Sequence, residues 1–192
     1  MPFVLTSGPL AEPLSVTEAK AYLRVDHADE DTLIASLVTA ARLHTEVALG
    51  RRLITQDWSL FFDAWPHSKI VEIDLGPIQA VTQISTFAED ATETIFGSEN
   101  YFADLVSDPA RIVRNGGATW PAPGRQINGV KITFTAGYGD AAGDVPEPLR
   151  QALLLLVAHW YERREPVVLG ETAIQVPETV QSLLLPYRRV RL

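Results

Sequence analysis

Between Val145-Pro146-Glu147-Pro148 and Glu162-Arg163-Arg164-Glu165-Pro166 runs a segment that is apolar nearly all the way round a helix. Pro148 suits a first helical turn, where its missing N–H would have no partner in any case. One stripe is Leu149, Ala152, Leu153, Leu156 and Trp160; a second, on the opposite face, is Leu154, Leu155, Ala158 and Tyr161. A helix on the surface of a monomer needs only one such stripe. A helix with two is either wrapped by its own domain or shared with another chain. A short basic, Leu-rich tail follows it, Leu183-Leu184-Leu185-Pro186-Tyr187-Arg188-Arg189-Val190-Arg191-Leu192.

The pattern elsewhere limits what can surround that helix. Leu14-Ser15-Val16-Thr17-Glu18 is a capping-box string that predicts a short helix over 13–25, with Ser15 as N-cap. The acidic turn Asp26 to Asp31 is expected to cap a longer helix ending at Leu49, since carboxylates suit a helix N-terminus and Gly50 is a natural stop. Its apolar stripe reads Leu33/Ile34, Leu37/Val38, Ala41, Thr45, Ala48/Leu49. The period then changes to two. Ile54, Trp58, Leu60 and Phe62 alternate with more polar neighbours, as do Val71, Ile73 and Leu75. Val130, Ile132 and Phe134 against Lys131, Thr133 and Thr135 make the clearest strand. Weaker strands fall near 80–87, 101–106 and 111–114, separated by turns such as Gly76-Pro77, Asp108-Pro109 and Asn115-Gly116-Gly117. A last short helix is expected over 177–185. The order α-α, β block, α-α predicts an α+β fold: a helical body of two N-terminal and two C-terminal helices with an inserted antiparallel sandwich or barrel-like block. The expected divisions are 1–52, 53–140 and 141–192, with 1–52 and 141–192 forming one compact unit.

Charge and composition narrow the function classes. The chain has no cysteine, which excludes disulfides, thiolate metal sites and a Cys nucleophile. The start Met1-Pro2-Phe3-Val4-Leu5 lacks the basic flank and long apolar core of a signal peptide. The longest apolar run, Ala152 to Ala158, is far short of the roughly 20 residues that cross a bilayer. No membrane role is expected, and the absence of cysteine suits a cytoplasmic protein. Residues 1–150 carry 11 Lys/Arg against 20 Asp/Glu, a net of −9, while 151–192 carry 5 against 4, a net of +1. So acidic a body disfavours binding DNA through its phosphates.

Signatures of chemistry are few. His27, His44, His67 and His159 show no metal-ligand spacing, and neither a GxSxG elbow, a phosphate loop nor a dinucleotide fingerprint occurs. Gly137-Tyr138-Gly139-Asp140 and Asn115-Gly116-Gly117 read as turns, because neither follows a strand and opens a helix. The acidic clusters Asp29/Glu30/Asp31, Glu89/Asp90 and Asp140/Asp144 fall where caps and solvated turns are expected. Trp58, Phe61, Phe62, Trp65 and Trp120 suit a sandwich core better than a sugar or base platform. No catalytic residue, cofactor or metal is predicted, and a structural or binding protein is.

Several strings taken in order resemble a known family. They are Pro13-Leu14-Ser15 with Glu18-Ala19-Lys20 and Leu23-Arg24-Val25-Asp26; Asp29-Glu30-Asp31 with Leu33-Ile34; and Gly50-Arg51-Arg52-Leu53 with Gln56 and Trp58. Next come Leu75-Gly76-Pro77-Ile78 with Val81, then Phe134-Thr135-Ala136-Gly137-Tyr138-Gly139, then Val145-Pro146 with Leu149. Tyr161-Glu162-Arg163-Arg164-Glu165 and Leu184-Leu185-Pro186-Tyr187-Arg188 complete the series. With this order and spacing the chain resembles the head–tail connector, or adaptor, proteins of tailed bacteriophages and phage-derived gene transfer agents. No one string is specific, but the likeness spans nearly the whole length.

The resemblance implies a virion component without catalysis. Such proteins form a ring, usually of twelve copies, beneath the portal; they extend the DNA channel and present a surface to the next connector or tail protein. It further implies that the C-terminal segment docks on the portal, here Leu183, Leu184, Leu185, Pro186, Tyr187, Arg188, Arg189 and Arg191. On the residues alone, a terminal helix folded back on its own core reads equally well. A closed ring needs two different faces to meet, which Leu154, Leu155, Ala158, Tyr161, Arg163 and Arg164 are expected to help supply. The acidic body would let DNA slide past without specific binding. Two other readings stand beside this one. The first is a stopper or tail-completion protein; the second is a carbohydrate-binding or hydrolytic β-domain built on Trp58, Trp65 or Trp120.

Overall fold

The computed structural model describes residues 2–163 and 176–188. The chain forms two compact units, Met1–Leu10 with Thr55–Tyr138, and Ala11–Ile54 with Gly139–Leu192.

The first unit is all β. Its strands are β1 (Phe3–Ser7), β2 (Gln56–Phe62), β3 (Ile70–Ile73), β4 (Ile78–Phe87), β5 (Glu93–Ile95), β6 (Tyr101–Asp104), β7 (Ala110–Arg114) and β8 (Val130–Ala136). They make two antiparallel sheets, ordered β1-β2-β8-β4-β5 and β3-β7-β6. Neither closes into a barrel. The strand with the strictest alternation takes the centre of the larger sheet. Val130, Ile132, Phe134 and Ala136 of β8 are buried, and Lys131, Thr133 and Thr135 between them are half-buried. Ile132 sits opposite Leu60 on one side and Ile84 on the other. These residues meet Val71, Ile73, Ala110 and Ile112 of the smaller sheet in one core, the arrangement of a sandwich.

Two strands lie outside those the periodicity predicts. β1 carries Phe3, Val4 and Leu5 in succession, so alternation is lost, and as an edge strand it leaves Val4 and Leu5 about half exposed. β5 is only three residues long and fully exposed, so no buried face marks it. The turn glycines behave as read: Gly117 has φ +90°, which side chains disfavour.

The second unit holds α1 (Val16–Leu23), α2 (Asp31–Leu49), α3 (Glu147–Glu162) and α4 (Glu178–Leu184), the last followed by a 3-10 turn, Leu185–Tyr187. The capping box of α1 is present in full: Ser15 Oγ accepts from Glu18 N at 3.1 Å, and the Glu18 carboxylate accepts from Ser15 N at 2.9 Å. Gly50 at φ +65° ends α2 in the left-handed cap that the sequence predicts. The acidic turn does not cap α2 through a side chain. Its Asp31 carboxylate accepts from Lys20 Nζ at 2.6 Å and so ties α2 to α1. Helix α3 packs against α1, α2 and α4, which accounts for its wide apolar circumference.

Candidate interaction surfaces

The inner stripe of α3 is Leu149, Ala152, Leu153, Leu156 and Val157, all buried. Trp160, assigned to this stripe from spacing, is half-buried and meets the His44 ring edge to face, with centroids 5.7 Å apart. The second stripe, Leu154, Leu155, Ala158 and Tyr161, is half-buried and Arg163 is exposed. The Tyr161 hydroxyl donates to the Glu30 carboxylate of the same chain. Arg164, grouped with these residues from sequence, lies outside the described residues. The second face of α3 is thus shared between the unit's own helices and solvent.

The tail divides in a similar way. Val180 and Leu184 are buried in the helical unit, Leu183 and Tyr187 are half-buried, and Leu185, Pro186 and Arg188 are exposed. Arg51 Nε donates to the Tyr187 carbonyl at 2.7 Å and holds the 3-10 turn in place. Arg189 and Arg191 lie outside the described residues. Leu184 and Leu185 with Arg188 form one wall of a groove of about 320 Å³, and His44, Ala48 and Leu49 form another. Described through Arg188, the tail is therefore anchored at Leu184 and open at Leu185 and Arg188.

Helix α2 departs furthest from its sequence reading. Its buried side is Ile34, Val38, Ala41, Thr45 and Leu49 together with Arg42 and Glu46. Leu33 and Ala48, placed on the inner stripe from spacing, are exposed instead. Arg42 Nε and Nη2 donate to the two Glu12 carboxylate oxygens at 2.7 and 3.2 Å, and Nη1 donates to Glu46 at 3.3 Å. Burial pulls the Arg42 pKa down, but the Glu12 hydrogen bonds and the nearby Glu46 and Glu12 charges outweigh it and hold the group above its ordinary range. Around the helix from this network, Leu33, Leu43 and Val47 are 36%, 51% and 78% exposed. Sequence reasoning missed this face. Its signal is a heptad spacing, Leu33, Ala40 and Val47 with Ser36 and Leu43.

In the β unit, Trp65 and Trp120 stack on each other, with centroids 4.2 Å apart and planes 12° apart, and Phe96 tilts against Trp120. Trp65 Nε1 donates to the Pro121 carbonyl at 2.7 Å. Each ring thus spends one face on the other, and Trp58, Trp65 and Trp120 all pack against the sandwich core.

Three solved structures that share this fold are chains of gene transfer agent particles. One lies in the neck of an empty particle computed with C6 symmetry: it is 26% identical, with a TM-score of 0.84, over 100% of this chain and 97% of that one. A chain in the virion of the native particle matches over the same shares at 26% identity and a TM-score of 0.83. One in the neck of the native particle, computed with C12 symmetry, has a TM-score of 0.81 at 26% identity and the same coverage. No curated protein matches significantly in sequence. Residues 12–190 match the family described as head completion protein, and the chain belongs to that family.

Proposed function

We propose that this chain is a non-catalytic structural protein of the head–tail junction, assembled as a ring, of twelve copies in the full particle, beneath a portal. The carrying observation is the likeness along the entire chain to neck chains in particles computed with C6 and C12 symmetry. In this reading the ring extends the DNA channel, and its outer end receives a stopper or tail-completion protein. The net charge of −8 keeps the channel from gripping the duplex, since phosphate neutralisation needs cations. Neighbouring copies meet in part through the second face of α3, at Leu154, Leu155, Ala158 and Tyr161 with Arg163 and Arg164.

The tail engages the portal through Leu185, Pro186 and Arg188, with Arg189 and Arg191 beyond them. An exposed Leu beside a proline and a guanidinium combines apolar contact with directed hydrogen bonding, and Arg is enriched among residues that carry binding energy. Removing residues 183–192 would also take Leu184 from the core, so surface substitutions test docking more cleanly. Leu185→Asp combined with Arg188→Glu should leave a folded protein and yield heads that fail to join tails, scored by electron microscopy and by infection or DNA transfer. Normal joining in that variant would refute docking by the tail. Native mass spectrometry with the portal tests the ring: repeated copies on one portal are expected, and a single bound copy would refute it.

A further inference from the structure

Helix α2 buries charge beside its apolar stripe of Ile34, Val38, Ala41 and Leu49. Past its first turn its charged residues are Arg42 and Glu46, and both are buried, while its solvent side presents Leu33, Ser36, Ala40, Leu43 and Val47. Beyond Asp31 at its start, whose side chain is 46% exposed, α2 shows solvent no Asp, Glu, Lys or Arg. By contrast, the other three helices each expose an acid: Glu18 on α1, Glu147 and Glu162 on α3, and Glu178 on α4. Buried charge and exposed apolar surface are the two informative departures from ordinary burial. A solvent face depleted of charge is the composition of an interface core. The heptad positions Leu33, Ala40 and Val47, with Leu43 between, form a seam along which another helix packs. At its C-terminal end the seam runs into the groove where His44 and Ala48 face Leu185.

From this geometry we infer that the exposed face of α2 seats on a second copy of this chain and forms one half of the seam between neighbours in the ring. The inference rests on the ring reading above, which supplies the occupant: chains of this fold occur in necks computed with C6 and C12 symmetry. Cyclic symmetry of that order joins unlike faces. The α2 face therefore does not pair with itself, and the half-buried Leu154, Leu155 and Ala158 of α3 are the apolar counterpart already proposed. The buried Arg42 network suits this use: it anchors α2 from within and leaves the outer face free of the charges that a dry contact would have to desolvate.

A photo-cross-linking amino acid in place of Val47, in chain assembled with its portal, reads the contact directly. Mass spectrometry of the product should show a peptide from a second copy lying outside residues 31–49. A cross-link to residues 31–49 of another copy, the signature of a two-fold dimer, would overturn the inference, as would one to the portal or to a tail protein. Leu43→Glu with Val47→Glu supplies the second measurement. Circular dichroism and the melting temperature should match the wild type, because both positions are exposed, whereas ring occupancy on the portal should fall at least tenfold. Undiminished ring formation would overturn the inference while leaving the ring itself intact. A wild-type chain that forms no ring would instead overturn the reading on which it rests.

Discussion

Arg42 and Glu12, thirty residues apart, form a two-pronged ion pair in which Nε and Nη2 each meet a separate carboxylate oxygen, at 2.7 and 3.2 Å. Thr39 Oγ1 donates to the same carboxylate at 3.0 Å. One turn on, Glu46 accepts from Arg42 and, at 3.0 Å, from the backbone N–H of Leu53. Glu12 lies just inside the start of the helical unit's first segment and Leu53 just inside its end. One buried cluster on α2 therefore holds both ends of that segment.

Substituting Arg42 should accordingly cost more than losing a surface ion pair. Arg42→Met takes from the Glu12 and Glu46 carboxylates the guanidinium they share; with Glu12 30% exposed, the expected cost is about 3 kcal/mol, the lower end for breaking a buried pair from one side. Urea denaturation reads this as a lower midpoint at constant slope. A loss below about 1 kcal/mol would place the pair among ordinary surface salt bridges.

Ser15→Ala removes the side-chain acceptor for Glu18 N and dismantles the capping box. The expected loss is about 1 kcal/mol, again by denaturation, while Ser15→Asp should retain most of the stability. Equal losses in the two variants would mean that the cap is not the source.

Among the carboxylates held below their ordinary range, Asp104 is shifted furthest. Hydrogen bonds from the Ser107 hydroxyl and then from Arg111, with backbone donors Ser107 N and Val106 N, hold its carboxyl well below the usual carboxylate range. A depressed folded pKa stabilises above the unfolded value of about 4 and is lost as pH falls below it. Asp104→Asn should thus lower the melting temperature at neutral pH and flatten its decline below about pH 4. A variant that declines in parallel with the wild type through that range would contradict the assignment.

Phe134 tests the sandwich. It is wholly buried at the centre of the larger sheet and meets Phe3 of β1 edge to face, with centroids 6.2 Å apart. Phe134→Ala should cost about 3–5 kcal/mol through lost burial and the cavity left behind. The exposed Phe102→Ala should cost under about 0.5 kcal/mol. Similar losses at the two positions would argue against this core.

By itself the sequence determined what depends on neighbours along the chain. Ser15 with Glu18, Gly50, Pro148 and the alternation of Val130 to Phe134 each act through local backbone geometry or a single period, and each stands in the structure where it was read. The α+β class followed from the same signals. Only the tertiary structure decided what depends on partners far away in sequence. The wide apolar girth of α3 posed a choice between burial and sharing, and contacts with three helices bury one stripe as far as Leu156, leaving Trp160 and the other stripe half-buried. Spacing placed Leu33 and Ala48 inside α2, yet Arg42 and Glu46 occupy that interior, because Glu12 and the Leu53 backbone, remote in the chain, compensate their charges there. The apolar stripe already left Leu43 and Val47 outside; what it did not record is that Arg42 and Glu46 join Ile34, Val38 and Ala41 within, since the cause is an ion pair spanning thirty residues.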